Sequence, residues 1–203
     1  MLFFHLHFNV ADVTDAEARQ VAAGFAVKAR FGYAGREHRK FEPHLTWEEL
    51  DSLGVRLRLV ELERGAVNVV LMRSRFPEVR LGQVGFVVDE LERAAILERA
   101  ARRQLRVRDH EVRWLITTGQ GFDLELADPS RHAYDDAARA ELRLDGIEIA
   151  CSDPEAAQGL FADLLGPTAS RQVRFTRGRD NHAELRSCAL AGALSVATGS
   201  LPL

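Results

Sequence analysis

The sequence of 203 residues predicts an α+β protein. Its plan is a set of repeated βαβββ modules, two paired into a cup-shaped sheet and a third following. Three observations predict this. A short apolar strand, an acidic turn and an amphipathic helix recur at Leu2–Asp12, Leu81–Glu92 and Leu144–Asp153. In each copy a polar or small residue at the strand start lies seven positions before an acidic one: His5 to Asp12, Gln83 to Glu90, Gly146 to Asp153. After each helix come further strand-like runs, so the order strand, helix, three strands repeats.

In the first copy, Phe4, Leu6, Phe8 and Val10 alternate with His5, His7 and Asn9, the period of a strand with one apolar face. Asp12 or Thr14 caps the next helix, with Glu17 completing a capping box from Thr14. That helix is expected to run to about Ala29, with Val21, Phe25 and Ala29 on one face. A second strand is expected within 31–37. Residues 38–54 form a polar insertion with a short helix at Thr46–Leu50. Val55–Glu63 and Ala66–Met72 make a hairpin turning at Arg64-Gly65.

The second copy has its strand at Val79–Val88 and its helix at Asp89–Arg103, with Leu91, Ala94, Ala95 and Ala101 as the apolar side. A strand at Leu105–Arg108 and a hairpin of Glu111–Thr118 with Phe122–Ala127, turning at Thr118-Gly-Gln-Gly121, complete it. The modules are therefore 1–77 and 78–128, forming one paired domain over 1–128, with 129–141 as linker and 142–203 as third module. In that module a helix starts at Asp153-Pro154, stops at Gly166-Pro167 and carries Phe161, Leu164 and Leu165. Strands follow near 171–177, 182–190 and 193–198.

A net charge of -3 offers no attraction to nucleic acid or an anionic membrane. No apolar run approaches the roughly 20 residues that cross a bilayer. Met1-Leu-Phe-Phe is broken too soon by His5 and His7 for a signal peptide. Cys151 and Cys188 have no metal or redox spacing, which fits two inert thiols in a cytoplasmic protein. Nucleophile motifs, phosphate-binding glycine loops and dinucleotide fingerprints are missing from the sequence.

Ile147-Glu-Ile-Ala-Cys-Ser-Asp-Pro-Glu-Ala-Ala-Gln-Gly-Leu-Phe-Ala-Asp-Leu-Leu-Gly166 resembles the opening strand and helix of the vicinal oxygen chelate superfamily, and Gly121-Phe-Asp-Leu-Glu-Leu-Ala127 resembles its fourth strand. That superfamily includes glyoxalase I, extradiol dioxygenases and bleomycin-resistance proteins. The resemblance implies a divalent metal in the cup, held from the first and fourth strands of paired modules. Carried over by position, the metal ligands are His5, Gln83 and Glu125, with His7 as a catalytic acid/base or supporting residue on the same strand face. The fourth-strand position of the first module falls near Val69, which has no donor. The third module has Gly146 and the 193–197 run at these positions and lacks a site.

Imidazole and carboxylate together suit Fe, Mn, Ni or Zn as divalent ions. The amide of Gln83 departs from a two-histidine, one-carboxylate set. Two functions follow from the resemblance: a metal-dependent lyase, isomerase or dioxygenase acting on a small oxygenated molecule, or a metal-free module that sequesters a small ligand, as bleomycin-resistance proteins do. The unmatched third sheet suggests a homodimer. Plain structural roles stand beside these: His5 and His7 on a solvated strand face, Glu125 on an edge strand with Asp123 repelling it, Glu148 as a structural charge, and His110 in an exposed turn. His182 and Glu184 share a strand face without a third partner. Tyr33, Trp114 and Tyr134 belong to a core or line a pocket.

Overall fold

The computed structural model describes residues 1–130, 132, 134–178 and 182–192. The elements are β1 (Leu2–Val10), α1 (Val13–Ala22), β2 (Ala26–Ala34), β3 (Glu37–Phe41), α2 (Trp47–Ser52), β4 (Val55–Arg64), β5 (Val67–Arg73), β6 (Arg80–Val87), α3 (Glu90–Arg102), β7 (Val107–Asp109), β8 (Arg113–Thr117), β9 (Asp123–Ala127), α4 (Asp136–Glu141), β10 (Arg143–Cys151), α5 (Pro154–Ser170), β11 (Val173–Arg177) and β12 (Glu184–Ala191).

Two modules join into one nine-stranded sheet in the order β3-β2-β4-β5-β1-β6-β9-β8-β7. Its centre is the antiparallel pair β1/β6. Each of these strands has the last strand of its own module parallel beside it, β5 next to β1 and β9 next to β6. The halves match strand for strand outward from the seam. The polar insertion adds β3 and α2 to the first module. Phe3 and Phe86 stack across the seam with ring centroids 4.8 Å apart, and both are almost fully buried. Burying such a ring contributes about 1.5–3 kcal/mol.

The repeat is also carried by bulges. The pairing of β1 with β6 slips at Phe4, between Phe3↔Phe86 and His5↔Gly85, and again at Gly82, between His7↔Gln83 and Phe8↔Leu81. The pairing of β10 with β12 slips in the same way at Asp145. A bulged residue thus stands directly before His5, Gln83 and Gly146, the three positions that the sequence repeat aligns. The slip also corrects the expected alternation. Phe3 enters the main core with Leu6, Phe8 and Val10, while Phe4 turns to the opposite face with Ala66, Val87 and Tyr134.

Helix α1 ends at Ala22, well before Ala29, because Gly24 takes a left-handed φ of 88° and starts β2 early. Its inner face is Val13, Ala16, Glu17 and Gln20, and Val21 is exposed. Asp12 is the cap, accepting from Asp15 N at 3.0 Å. Glu17 serves no capping box. It turns inward to pair with Arg30, whose Nε donates to Glu17 Oε2 at 3.2 Å. Arg30 Nη1 also donates to the carbonyls of Pro43 (2.8 Å) and Leu45 (2.7 Å), and the guanidinium lies 4.8 Å over the Trp47 ring. One buried arginine therefore pins the insertion to the sheet. Helix α3 has the capping box Asp89/Glu92 but buries Ile96 and Ala100, leaving Leu91 exposed.

The third module departs from the first two. Its described strands form a separate sheet in the order β11-β10-β12, with β11 parallel and β12 antiparallel to β10. The strand expected over 193–198 lies outside the described residues. Gly166 (φ 78°) leaves helical geometry, so the first helix stops there as expected, and a second short helical stretch starting at Pro167 continues the α5 span to Ser170. Ile147, Ile149, Phe161 and Phe175 join the same core as the nine-stranded sheet, with Phe122 5.7 Å from Phe161. Leu81 N also donates to Ala183 O at 2.9 Å. The inner face of the small sheet thus packs into the common core. Among the described residues no helix is long and apolar enough to cross a membrane.

Candidate functional site

The face of the nine-stranded sheet opposite the main core carries a band of polar residues. Two rows of paired residues cross it. One runs Glu63–Asn68–His5–Gly85–Glu125–Leu115, the other Glu61–Val70–His7–Gln83–Asp123–Thr117. Three of the predicted site residues therefore come from three different strands of both modules. His5, His7 and Glu125 are 4%, 7% and 4% exposed, so none is a solvated surface group. The edge-strand role for Glu125 fails because β9 lies inside the sheet.

His5 Nδ1 lies 2.7 Å from Asn68 Oδ1. Asn68 Nδ2 donates to Glu61 Oε1 at 2.9 Å, and a carboxylate only accepts, so the amide orientation is set. Asn68 Oδ1 must then accept from His5 Nδ1–H, which leaves Nε2 as the ring nitrogen turned to the site. That nitrogen faces Glu125 Oε2 at 3.9 Å, and neither atom has a hydrogen-bond partner. A proton on Nε2 makes this an ion pair, whereas an unprotonated Nε2 sets two buried acceptors face to face. A buried acceptor left unpaired costs about 1–3 kcal/mol. The gap is shorter than the ~4.2 Å sum of one imidazole and one carboxylate bond to a transition-metal ion.

Gly85 makes this facing possible. It sits between His5 and Glu125 in the row, and a Cβ on it would lie 2.7 Å from His5 Cβ and 3.1 Å from Phe4 Cε1. Arg113 stands 3.8 Å from Glu125 Oε2 on the more exposed side. Asp123 does not repel Glu125 unopposed, since Arg108 Nη2 donates to its carboxylate.

Gln83 is paired in register with His7, and Gln83 Oε1 and His7 Nε2 are both buried without partners. Burial pushes His7 down to about 3, helped by the nearby His5, Arg113 and Arg58 and opposed by the neighbouring Gln83 amide. The low value favours a neutral imidazole at His7 near neutral pH. Among the described residues no three His, Cys, Asp or Glu side chains converge as a metal set. Gln83 lies in the His7 row and is not among the residues that line the His5/Glu125 cavity. The first-module counterpart of Glu125 is Val70, one residue beyond Val69, which faces the core. Neither has a donor.

His5 and Glu125 line a cavity of about 220 Å³ with Glu61, Asn68, Arg58 and Arg113 around them. These four do not stand out in the sequence as site residues. Asn68 had a visible signal, as an amide in the apolar run Val67-Asn-Val-Val-Leu71. His182 and Glu184 lie elsewhere, joined at 2.9 Å, and His110 is exposed. Trp114 is partly buried under Arg93, 4.3 Å from its ring.

This architecture is the vicinal oxygen chelate fold. The chain is similar to 2,2',3-trihydroxybiphenyl 1,2-dioxygenase from Sphingomonas wittichii at TM-score 0.53 and 19% identity, over 81% of this chain and 56% of that one. It is similar to the Mn(II)-bound glyoxalase from Novosphingobium aromaticivorans at TM-score 0.59 and 16% identity, over 96% and 66%. It is also similar to a 4-hydroxymandelate synthase variant from Streptomyces coelicolor at TM-score 0.59 and 11% identity, over 94% and 71%. The chain thus spans 56% and 66% of the length of the first two. At these identities the likeness is one of fold. No family model matches the sequence, and no curated protein matches it.

Proposed function

We propose that this protein is a divalent-metal-dependent enzyme of the glyoxalase/dioxygenase type acting on a small oxygenated organic molecule, with His5, Gln83 and Glu125 holding the metal. The observation that supports this most is the buried facing of His5 Nε2 and Glu125 Oε2 at 3.9 Å, with neither atom in a hydrogen bond. A metal ion between them would take the place of a proton on Nε2 and satisfy both atoms. The donor set of imidazole, carboxylate and amide oxygen suits Fe, Mn, Ni or Zn. A bound ion would act as a Lewis acid toward adjacent oxygens of the substrate. Asn68 orients His5 through Nδ1, and Glu61 orients Asn68 in turn. His7, neutral beside Gln83, positions that amide. Arg113 offers a guanidinium to a substrate oxygen at the cavity rim.

The shortage of imidazole and carboxylate donors favours a second reading, a metal-free module that holds a small molecule in the same cup. Elemental analysis of untagged protein, with a His5→Ala/Glu125→Ala double variant alongside, separates the two. Near-stoichiometric metal in the parent that vanishes in the variant is expected. A parent that stays metal-free after incubation with excess Fe, Mn, Ni and Zn, followed by desalting, refutes the enzyme reading and leaves the binding module.

A further inference from the structure

At one end of the cup, where β4 begins and β5 ends, a cavity of about 560 Å³ is lined by Arg56, Arg58, Arg73, Arg75, Tyr33 and Met72. Four guanidiniums in one cavity repel one another, and no carboxylate among the described residues forms an ion pair with any of them. This is unusual in a chain where acidic residues outnumber basic ones, 30 to 27, and where most other arginines are paired.

The arginines are also aimed. Arg56 lies 5.0 Å over the Tyr33 ring, and Arg58 lies 6.0 Å from it while its Nη1 donates to Tyr33 Oη at 3.0 Å. Tyr33 braces both cations through its face and oxygen without neutralising either. Arg58 is the extra residue of a bulge, since β2 and β4 pair Phe31↔Leu59 and then Gly32↔Leu57. The strands close up there because Gly32 has no side chain. A Cβ on it would lie 2.7 Å from Val55 Cγ1 and 2.8 Å from Arg56 O. Bulges re-aim side chains, and this one brings Arg58 into the lining of both the arginine cavity and the His5/Glu125 cavity.

We infer that Arg56, Arg58 and Arg73 form an anion subsite continuous with the cup, so that the ligand is a small oxyanion-bearing molecule, its carboxylate or phosphate held here and its other oxygens reaching His5 and Glu125. Planar guanidiniums match both oxyanions in two-point contacts. The subsite deepens the proposed function and rests on it for the identity of the reactive end, but anion binding itself does not depend on a metal.

The chain has two methionines, Met1 and Met72, so methyl labelling yields one reporter in the cavity wall and one remote from it. Metal-free protein is titrated at low ionic strength with succinate and, separately, with inorganic phosphate, following both methyl signals and the heat of binding. Saturable binding that shifts Met72 and not Met1 is expected. Arg58→Gln/Arg73→Gln should weaken it about tenfold or more, while Arg106→Gln, outside the cavity, changes it less than about twofold. Tighter succinate binding marks a carboxylate ligand, and tighter phosphate binding a phosphate one. Failure of both anions to saturate, or equal losses in the double variant and Arg106→Gln, overturns the inference.

Discussion

Replacing Gly85 by alanine tests whether the close approach of β6 to β1 builds the site. The added Cβ would meet His5 Cβ at 2.7 Å, about 1 Å inside ordinary contact, and Phe4 Cε1 at 3.1 Å. His5 cannot swing away freely, since Asn68 holds its ring at 2.7 Å and the side chain is 4% exposed. The strands must part or His5 must shift, and overpacking of this kind costs about 1–3 kcal/mol. For a chain of this size that lowers Tm by about 2–12 °C. Gly159→Ala is the control. Gly159 is an exposed residue in α5, and a Cβ there would meet no atom within 4 Å. The same added methyl group at that position raises helix propensity and stabilises by about 0.5–1 kcal/mol. Differential scanning calorimetry of both variants gives the answer. If Gly85→Ala melts at or above the parent temperature, the claim that Gly85 positions His5 is wrong.

Two further outcomes follow from buried charges. Arg30→Met strands Glu17 in the core and frees the Pro43 and Leu45 carbonyls, so a loss of about 3–5 kcal/mol is expected by urea denaturation. The double variant Glu17→Gln/Arg30→Met should recover part of it, and equal losses in the single and double variants would show that the stranded carboxylate is not the cause. For His7, the folded value of about 3 lies below the ordinary 6.5, so the unfolded chain takes up the proton first. Its contribution to stability is present above about 6.5 and is lost as pH falls toward 3. In metal-free protein this amounts to about 2 kcal/mol between pH 7 and pH 5. His7→Gln should flatten that part of the profile, and an unchanged slope in the variant would contradict the assignment.

Much of the fold was legible because the repeat is written in local chemistry. The alternation of Phe8 and Val10 with His7 and Asn9, the acidic caps Asp12, Asp89 and Asp153, and the glycine-rich turn before Phe122 depend on neighbours in sequence, and they fell where the pattern placed them. The seven-residue spacing even aligned His5, Gln83 and Gly146, each of which follows a bulge. Helix faces were read less well. Val21 and Leu91 belong to an apolar stripe by spacing yet stand exposed, since which side of a helix is buried depends on the sheet beneath it.

The sequence by itself determined the α+β repeat, and its resemblance to the vicinal oxygen chelate superfamily singled out His5, Gln83 and Glu125 as candidate donors. Tertiary structure alone decided that Glu125 faces His5 past a glycine, that Asn68 and Glu61 orient the His5 ring, that His7 is buried beside Gln83, and that four arginines line one cavity. The physical reason is separation along the chain. Local propensity acts over a few residues, whereas His5, Asn68, Gly85 and Glu125 meet only when two modules close their sheets across one seam.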